Sequence, residues 1–146
     1  MVNEASGTSH PSPSERAVLV VDDDDSIRKL IRSVLKRDGY AIDEARNGQE
    51  AIERIQQRRF DAILLDLMMP VMSGFEVISY LQQELPERRC VIVMSAASET
   101  RLQQVDRNAV YHLLRKPFDI HELSDVVRKC MIGAPPPVTT DQRQNV

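Results

Sequence analysis

The sequence predicts an α/β fold: a doubly wound, five-stranded parallel sheet with helices on both faces. Three observations predict it. Five short apolar runs alternate with five amphipathic stretches across about residues 16–132, and strict alternation of strand and helix favours parallel pairing through crossovers. The runs AVLVV (17–21), DAILLDL (61–67) and CVIVMS (90–95) are dominated by aliphatic residues, as strands buried on both faces are. The carboxyl ends of these runs carry polar residues, and in such sheets ligands gather at the strand ends, near a topological switch point.

Taken in order, AVLVV forms the first strand. Asp25 or Ser26 opens a helix on which Ile27, Leu30, Ile31, Val34 and Leu35 recur at helical spacing, and Gly39 lies just past its end. YAIDEA (40–45) alternates weakly and reads as a more exposed strand. Asn47 caps a helix carrying Ala51, Ile52 and Ile55. The buried run 61–67 is followed by the turn residues Pro70, Ser73 and Gly74, then by a helix carrying Phe75, Val77, Ile78 and Leu81. After CVIVMS, the stretch from about Glu99 to Asn108 is polar, with Leu102 and Val105 as its apolar anchors, and its helix is the weakest of the set. YHLL (111–114) is a short strand, and Asp119 caps a last helix carrying Leu123, Val126, Val127, Cys130 and Met131.

A chain of 146 residues is long enough for one domain with a real core. Residues 1–15 are rich in Ser, Pro, Gly and Thr and read as disordered; 16–132 form the domain; 133–146, GAPPPVTTDQRQNV, read as a Pro-rich disordered tail or linker. The apolar fraction of 42% and charged fraction of 28% are those of an ordinary globular protein. A net charge of −3 is no footprint for direct nucleic-acid binding. No apolar run reaches the ~20 residues of a membrane span, and the N-terminus has no apolar core for a secretory signal. The two cysteines, Cys90 and Cys130, lack metal-ligand spacing and fall in apolar segments, so reduced, packed thiols and a cytoplasmic location are expected. His10, His112 and His121 are scattered.

The stretch VVDDDDS (20–26) poses a problem of charge. Two carboxylates about 5 Å apart at an effective dielectric of about 20 repel by roughly 3 kcal/mol. Either the run is a solvated loop that caps the next helix, or something offsets the repulsion. The other strand ends favour an offset: Asp66 ends the third run, Ser95 the fourth, and Lys116 and Pro117 follow the fifth. Carboxylates at Asp22, Asp23 and Asp66, a hydroxyl and an ammonium would meet in one crevice. Oxygen ligands suit a hard ion such as Mg²⁺ (or Mn²⁺), with positions left for phosphate oxygens. Asp66 can then serve as a nucleophile toward phosphorus, with Lys116 stabilising charge on the transferring group. Asp24 and Asp25 are assigned to capping or solvent.

VLVVDDDDSIRKL, DAILLDLMMPVMSGFEV, VIVMSA and LLRKPF, in this order and spacing, resemble the receiver domain of two-component response regulators. The resemblance spans about 16–132. It implies a flavodoxin-like sheet of strand order 2-1-3-4-5. It also implies that Asp66 is the phosphoacceptor, Asp23 a direct Mg²⁺ ligand, Asp22 an acid acting mainly through water, and the Met68 backbone carbonyl a further ligand. Ser95 and Ala96 would form the phosphate-binding turn, Lys116 would bind the phosphate, and the Lys116–Pro117 bond would be cis. Met68 and Ala97 occupy the positions flanking the water that hydrolyses the phosphate. The implied partners are a sensor histidine kinase or phosphotransfer protein and an output protein or missing output domain; a phosphorylation-dependent dimer is compatible. The chain would be a signalling phosphoacceptor rather than an enzyme acting on other substrates, and either a stand-alone receiver or one excised from a longer protein.

Two departures stand out. Leu113 occupies the position where many receivers carry an aromatic switch residue; Tyr111, of the same strand parity, is a candidate substitute. The stretch DRNAVYH lacks the small Gly-Ala pair common before the last strand, which points to an unusual fourth helix and output face. Three other readings compete. An aspartyl-nucleophile phosphohydrolase would need an acid two residues after Asp66, where Met68 stands. A flavodoxin-type binder would carry a Gly-rich phosphate loop after the first strand. A receiver-like scaffold regulated by binding alone would have no need of the intact acids and lysine.

Overall fold

A computed structural model describes residues 16–85 and 90–137. The expected disorder of 1–15 and of 138–146 lies outside the described residues. The strands are β1 (Ala17–Val21), β2 (Ala41–Ala45), β3 (Ala62–Asp66), β4 (Cys90–Ser95) and β5 (His112–Arg115). The helices are α1 (Asp25–Arg37), α2 (Gly48–Gln57), α3 (Gly74–Glu84), α4 (Glu99–Leu102) and α5 (Ile120–Met131). All pairings are parallel, and the order is β2-β1-β3-β4-β5, as expected.

The pleat divides the aliphatic runs between two cores. Leu19, Val21, Ile63, Leu65, Val91 and Val93 face α2 and α3. Val18, Val20, Leu64, Ile92 and Met94 face α1 and α5. Runs without polar alternation are therefore what this sheet requires, because each face meets a helical layer.

Local chemistry explains most boundaries, with two corrections. Helix α1 opens at Asp25, as expected, and Asp24 is its cap: its carboxylate accepts the Ser26 and Ile27 N–H groups. The expected fourth helix to Asn108 stops at Leu102, and turns continue to Ala109. Leu102 and Val105 are buried, but two apolar anchors on a polar stretch hold one helical turn, not three. Tyr111 does not stand in for the aromatic at Leu113. The strand begins only at His112, so Tyr111 escapes strand parity: its ring lies on the α1/α5 side and its hydroxyl donates to the Ala134 carbonyl (2.7 Å), while Leu113 is buried on the other face.

Gly133 adopts φ +75° and ends α5: its N–H reaches the Cys130 carbonyl and the Ala134 N–H reaches that of Lys129. This is the paired bonding of a Schellman cap, and it holds the first residues of the Pro-rich segment against the domain.

The cysteines require a further correction. Cys90 and Cys130 form a disulfide, with Cα atoms 5.9 Å apart, rather than two reduced thiols. Helix α5 runs back antiparallel to the strands, so its last turn meets the first residue of β4.

In the β3–α3 loop, Val71 has φ +71°, and the Met72 N–H donates to the Pro70 carbonyl across it (2.8 Å). That is a three-residue turn of the strained positive-φ kind. Val71 is 75% exposed, so no packing repays a β-branched side chain there. Val71→Asn is expected to raise stability by about 1 kcal/mol, read as a higher urea midpoint at unchanged slope. An unchanged or lower midpoint would show that the turn carries no such strain.

Candidate functional site

The site is assembled by the sheet register. β3 lies between β1 and β4. The ends of β1 and β3 therefore place Asp22 and Asp66 side by side, and Asp66 pairs with Met94, one residue before Ser95. The Lys116 N–H donates to the Ser95 carbonyl (2.8 Å), which continues the β4–β5 ladder and turns the lysine toward the acids. The Lys116–Pro117 bond is cis, as the resemblance implies.

Ligand oxygens of Asp22, Asp23 and Asp66 lie within 4.8 Å of one another, and this is the one such cluster among the described residues. Asp22 and Asp66 are buried and Asp23 is exposed. The Lys116 ammonium is 2.7 Å from Asp22 Oδ2 and 3.6 Å from Asp66 Oδ2. Asp22 Oδ1 accepts the Asp24 N–H (2.9 Å), and Asp66 Oδ1 accepts the Met68 N–H (3.3 Å). Both oxygens of Asp22 are thus engaged, whereas Asp23 opens to solvent. That pattern suits one direct ligand beside one acid acting through water.

Burial is the main reason that the Asp66 carboxyl is pushed up to about 6; Lys116 and the Met68 N–H oppose the rise, while Asp22 and Asp23 add to it. At neutral pH it remains mostly ionised, as a nucleophile must. Burial works against the Lys116 ammonium, but its bonds and proximity to Asp22 and Asp66 outweigh burial and hold its pKa above the usual lysine value.

The other expected residues fall around this centre. Ser95 is buried, and its hydroxyl accepts the Ala97 N–H (2.9 Å), closing the turn through the exposed Ala96. Met68 is 44% exposed on the loop just beyond Asp66. Leu113 lies two residues before the end of the β4–β5 ladder, with its side chain in the core. Asp24 caps α1, and Asp25 pairs with Arg28 (2.6 Å).

Residues 18–128 match the response regulator receiver domain family. The chain belongs to that family. Its receiver is 37% identical over 110 residues to the transcriptional regulatory protein ResD of Bacillus subtilis, covering 75% of this chain and 45% of that protein. It is 36% identical over 114 residues to the sporulation initiation phosphotransferase F of the same organism, covering 77% of this chain and 90% of that one. The chain thus spans under half the length of ResD but most of the phosphotransferase. Among solved structures, it superposes on response regulator TrrA of Thermotoga maritima, in complex with Mg²⁺–BeF, with TM-score 0.71 and 33% identity over 79% of this chain and 98% of that one. Chemotaxis protein CheY4 of Vibrio cholerae gives TM-score 0.71 and 30% identity over the same shares. The receiver's acidic pocket therefore sits in the fold of a known signalling family, and among the described residues no helix is long and apolar enough to cross a membrane.

Two residues that matter to this site escape a reading of motifs. Arg28 is buried beneath the acidic turn. Its spacing to Ile31 and Leu35 places it on the inward face of α1, whereas Leu30, counted with the apolar face, is 51% exposed. Gly74, read as a turn residue, packs directly on the backbone of Asp66.

Proposed function

We propose that this receiver accepts a phosphoryl group on Asp66 from the phosphohistidine of a sensor kinase or phosphotransfer protein, in a Mg²⁺-dependent reaction. The observation that carries this is the cluster of three carboxylates whose ligand oxygens lie within 4.8 Å of one another, two of them, Asp22 and Asp66, paired with one lysine ammonium. Asp23, Asp66 and the Met68 carbonyl would hold the ion, with Asp22 acting through water; once bound, the ion neutralises the acids and draws charge from the phosphoryl oxygens. An Asp66 oxygen attacks phosphorus, the phosphorus–nitrogen bond breaks, and the imidazole leaves with its electron pair. Lys116, already 3.6 Å from Asp66, is within reach of an oxygen on the new phosphoryl group. The Ser95 hydroxyl can exchange the Ala97 N–H for the phosphate, pulling on the turn that leads to α4. The readout is then a shift of the α4–β5–α5 surface toward an output protein or domain. Leu113 lies under that surface in place of an aromatic. The chain catalyses only its own phosphorylation and dephosphorylation.

Incubation with acetyl phosphate and Mg²⁺ is expected to add one phosphoryl group, measured by intact mass, and Asp66→Asn to abolish the addition. Modification that persists in Asp66→Asn would move the acceptor elsewhere. Millimolar Mg²⁺ is expected to raise the melting temperature of the wild type, because a ligand bound only by the folded state stabilises it.

The phosphorylated state is expected to be long-lived. Met68, two residues after Asp66, and the half-buried Ala97, two after Ser95, hold the positions that by resemblance to receivers flank the hydrolytic water, and neither side chain hydrogen-bonds a water. Met68→Asn with Ala97→Glu would give the attacking water polar contacts. Loss of phosphate from the purified double variant is expected to be several-fold faster than from the wild type. A slower loss would count against this account of the two positions.

A further inference from the structure

Arg28 is only 7% exposed, and a cation is rarely buried unless it is paired. Its guanidinium joins three elements. Nη1 donates to the Asp22 backbone carbonyl (2.8 Å), Nη2 to Asp25 of α1 (2.6 Å) and Nε to Glu44 of β2 (2.8 Å). Glu44 also pairs with Arg32 (3.2 Å). The two carboxylates around Arg28 offset its charge, so the guanidinium brings little net repulsion to a cation at the neighbouring site.

The bond to Asp22 has a specific mechanical consequence. That carbonyl belongs to the peptide joining Asp22 to Asp23. A peptide unit is planar, so holding its oxygen also sets the Cα of Asp23. Asp22 is independently secured: its N–H reaches the Ala45 carbonyl (3.1 Å), and its carboxylate is held by Asp24 and Lys116. Among the described residues no hydrogen bond or ion pair holds the Asp23 carboxylate, so its position follows from its backbone.

Resting on the reading of Asp22, Asp23 and Asp66 as the Mg²⁺ site, we propose that Arg28 is a positioning residue that fixes the Asp22–Asp23 peptide and thereby sets the affinity of Asp23 for the divalent ion. It touches neither the ion nor the phosphoryl group. Its planar fork serves three acceptors in three elements at once, which a lysine ammonium on a flexible stem does not reproduce.

The test uses the full chain, with Mg²⁺ titrations followed by the amide NMR shifts of Asp23 and Asp24, and with phosphorylation rates from acetyl phosphate at increasing Mg²⁺. Arg28→Met, which keeps an apolar stem, is expected to raise the Mg²⁺ dissociation constant about tenfold, the scale for losing a group that orients a metal ligand. Saturating Mg²⁺ is expected to restore the wild-type rate, so the defect lies in affinity and not in the reaction. Glu44→Ala serves as the control: it removes a partner of the same guanidinium, lowers stability, and leaves the bond to Asp22, so Mg²⁺ affinity should be unchanged. Should Arg28→Met not fold, Arg28→Lys is judged on the same criterion, with weakened binding expected. Unchanged affinity in the Arg28 variant overturns the proposal, as does equal weakening in Glu44→Ala, which would tie the effect to stability. A wild type that binds no Mg²⁺ would instead overturn the reading of the metal site on which the proposal rests.

Discussion

Gly74→Ala is expected to destabilise the protein by about 3 kcal/mol, at the upper end of the range for forcing a methyl group into packed structure. A Cβ at this position would lie 2.3 Å from the Asp66 carbonyl oxygen and 2.8 Å from the Leu67 Cα. Both neighbours are backbone, so no side chain can swing aside. The Gly74 N–H also donates to the Leu67 carbonyl (3.0 Å), tying the start of α3 to the end of β3. Relief must therefore come from moving the phosphoacceptor or the helix. In the fraction that folds, a shift of Asp66 by about 1 Å is expected to slow phosphoryl acceptance by up to about 100-fold. Gly133→Ala gives the contrast. Nothing lies within 4 Å of the added carbon there, although φ is +75°, so only the backbone penalty of about 1–2 kcal/mol applies and phosphorylation should be unaffected. Urea denaturation and the initial rate with acetyl phosphate measure both effects. Wild-type stability and rate in Gly74→Ala would mean that the contact does not constrain Asp66.

Reduction of the Cys90–Cys130 disulfide is expected to lower stability by about 4 kcal/mol, from the loop-closure entropy of a 40-residue separation. The bridge joins the start of β4 to the last turn of α5, so its loss acts at the end of the sheet remote from the acids. The denaturation midpoint should fall on adding a thiol reductant and in Cys130→Ser, while Mg²⁺ binding persists wherever the protein remains folded. A midpoint insensitive to reductant, together with two titratable thiols in the unreduced protein, would show that the bridge is not formed.

The sequence by itself determined the architecture and which residues gather at the site. Each aliphatic run is local and uninterrupted, so strand positions and the burial of both faces follow from composition over a few residues. Because a parallel sheet aligns its strand ends, the residues at or just after the end of each run, Asp22, Asp23, Asp66, Ser95 and Lys116, are brought to one crevice by topology alone. What only the tertiary structure decided depends on neighbours distant in the chain. Nothing local to Cys90 or Cys130 says that α5 returns its last turn to β4. The spacing of Arg28 to Ile31 and Leu35 gives its face of α1, but its partners, Glu44 of β2 and the Asp22 carbonyl, come only from the packed structure. Gly74 reads as a turn residue until α3 closes on the backbone of Asp66. Tyr111 follows strand parity on paper, but the strand starts one residue later and the Ala134 carbonyl claims its hydroxyl. The physical reason is common to all four: periodicity records which face a residue occupies within its own element, whereas contact between elements depends on how they pack, and that is settled only when the chain closes on itself.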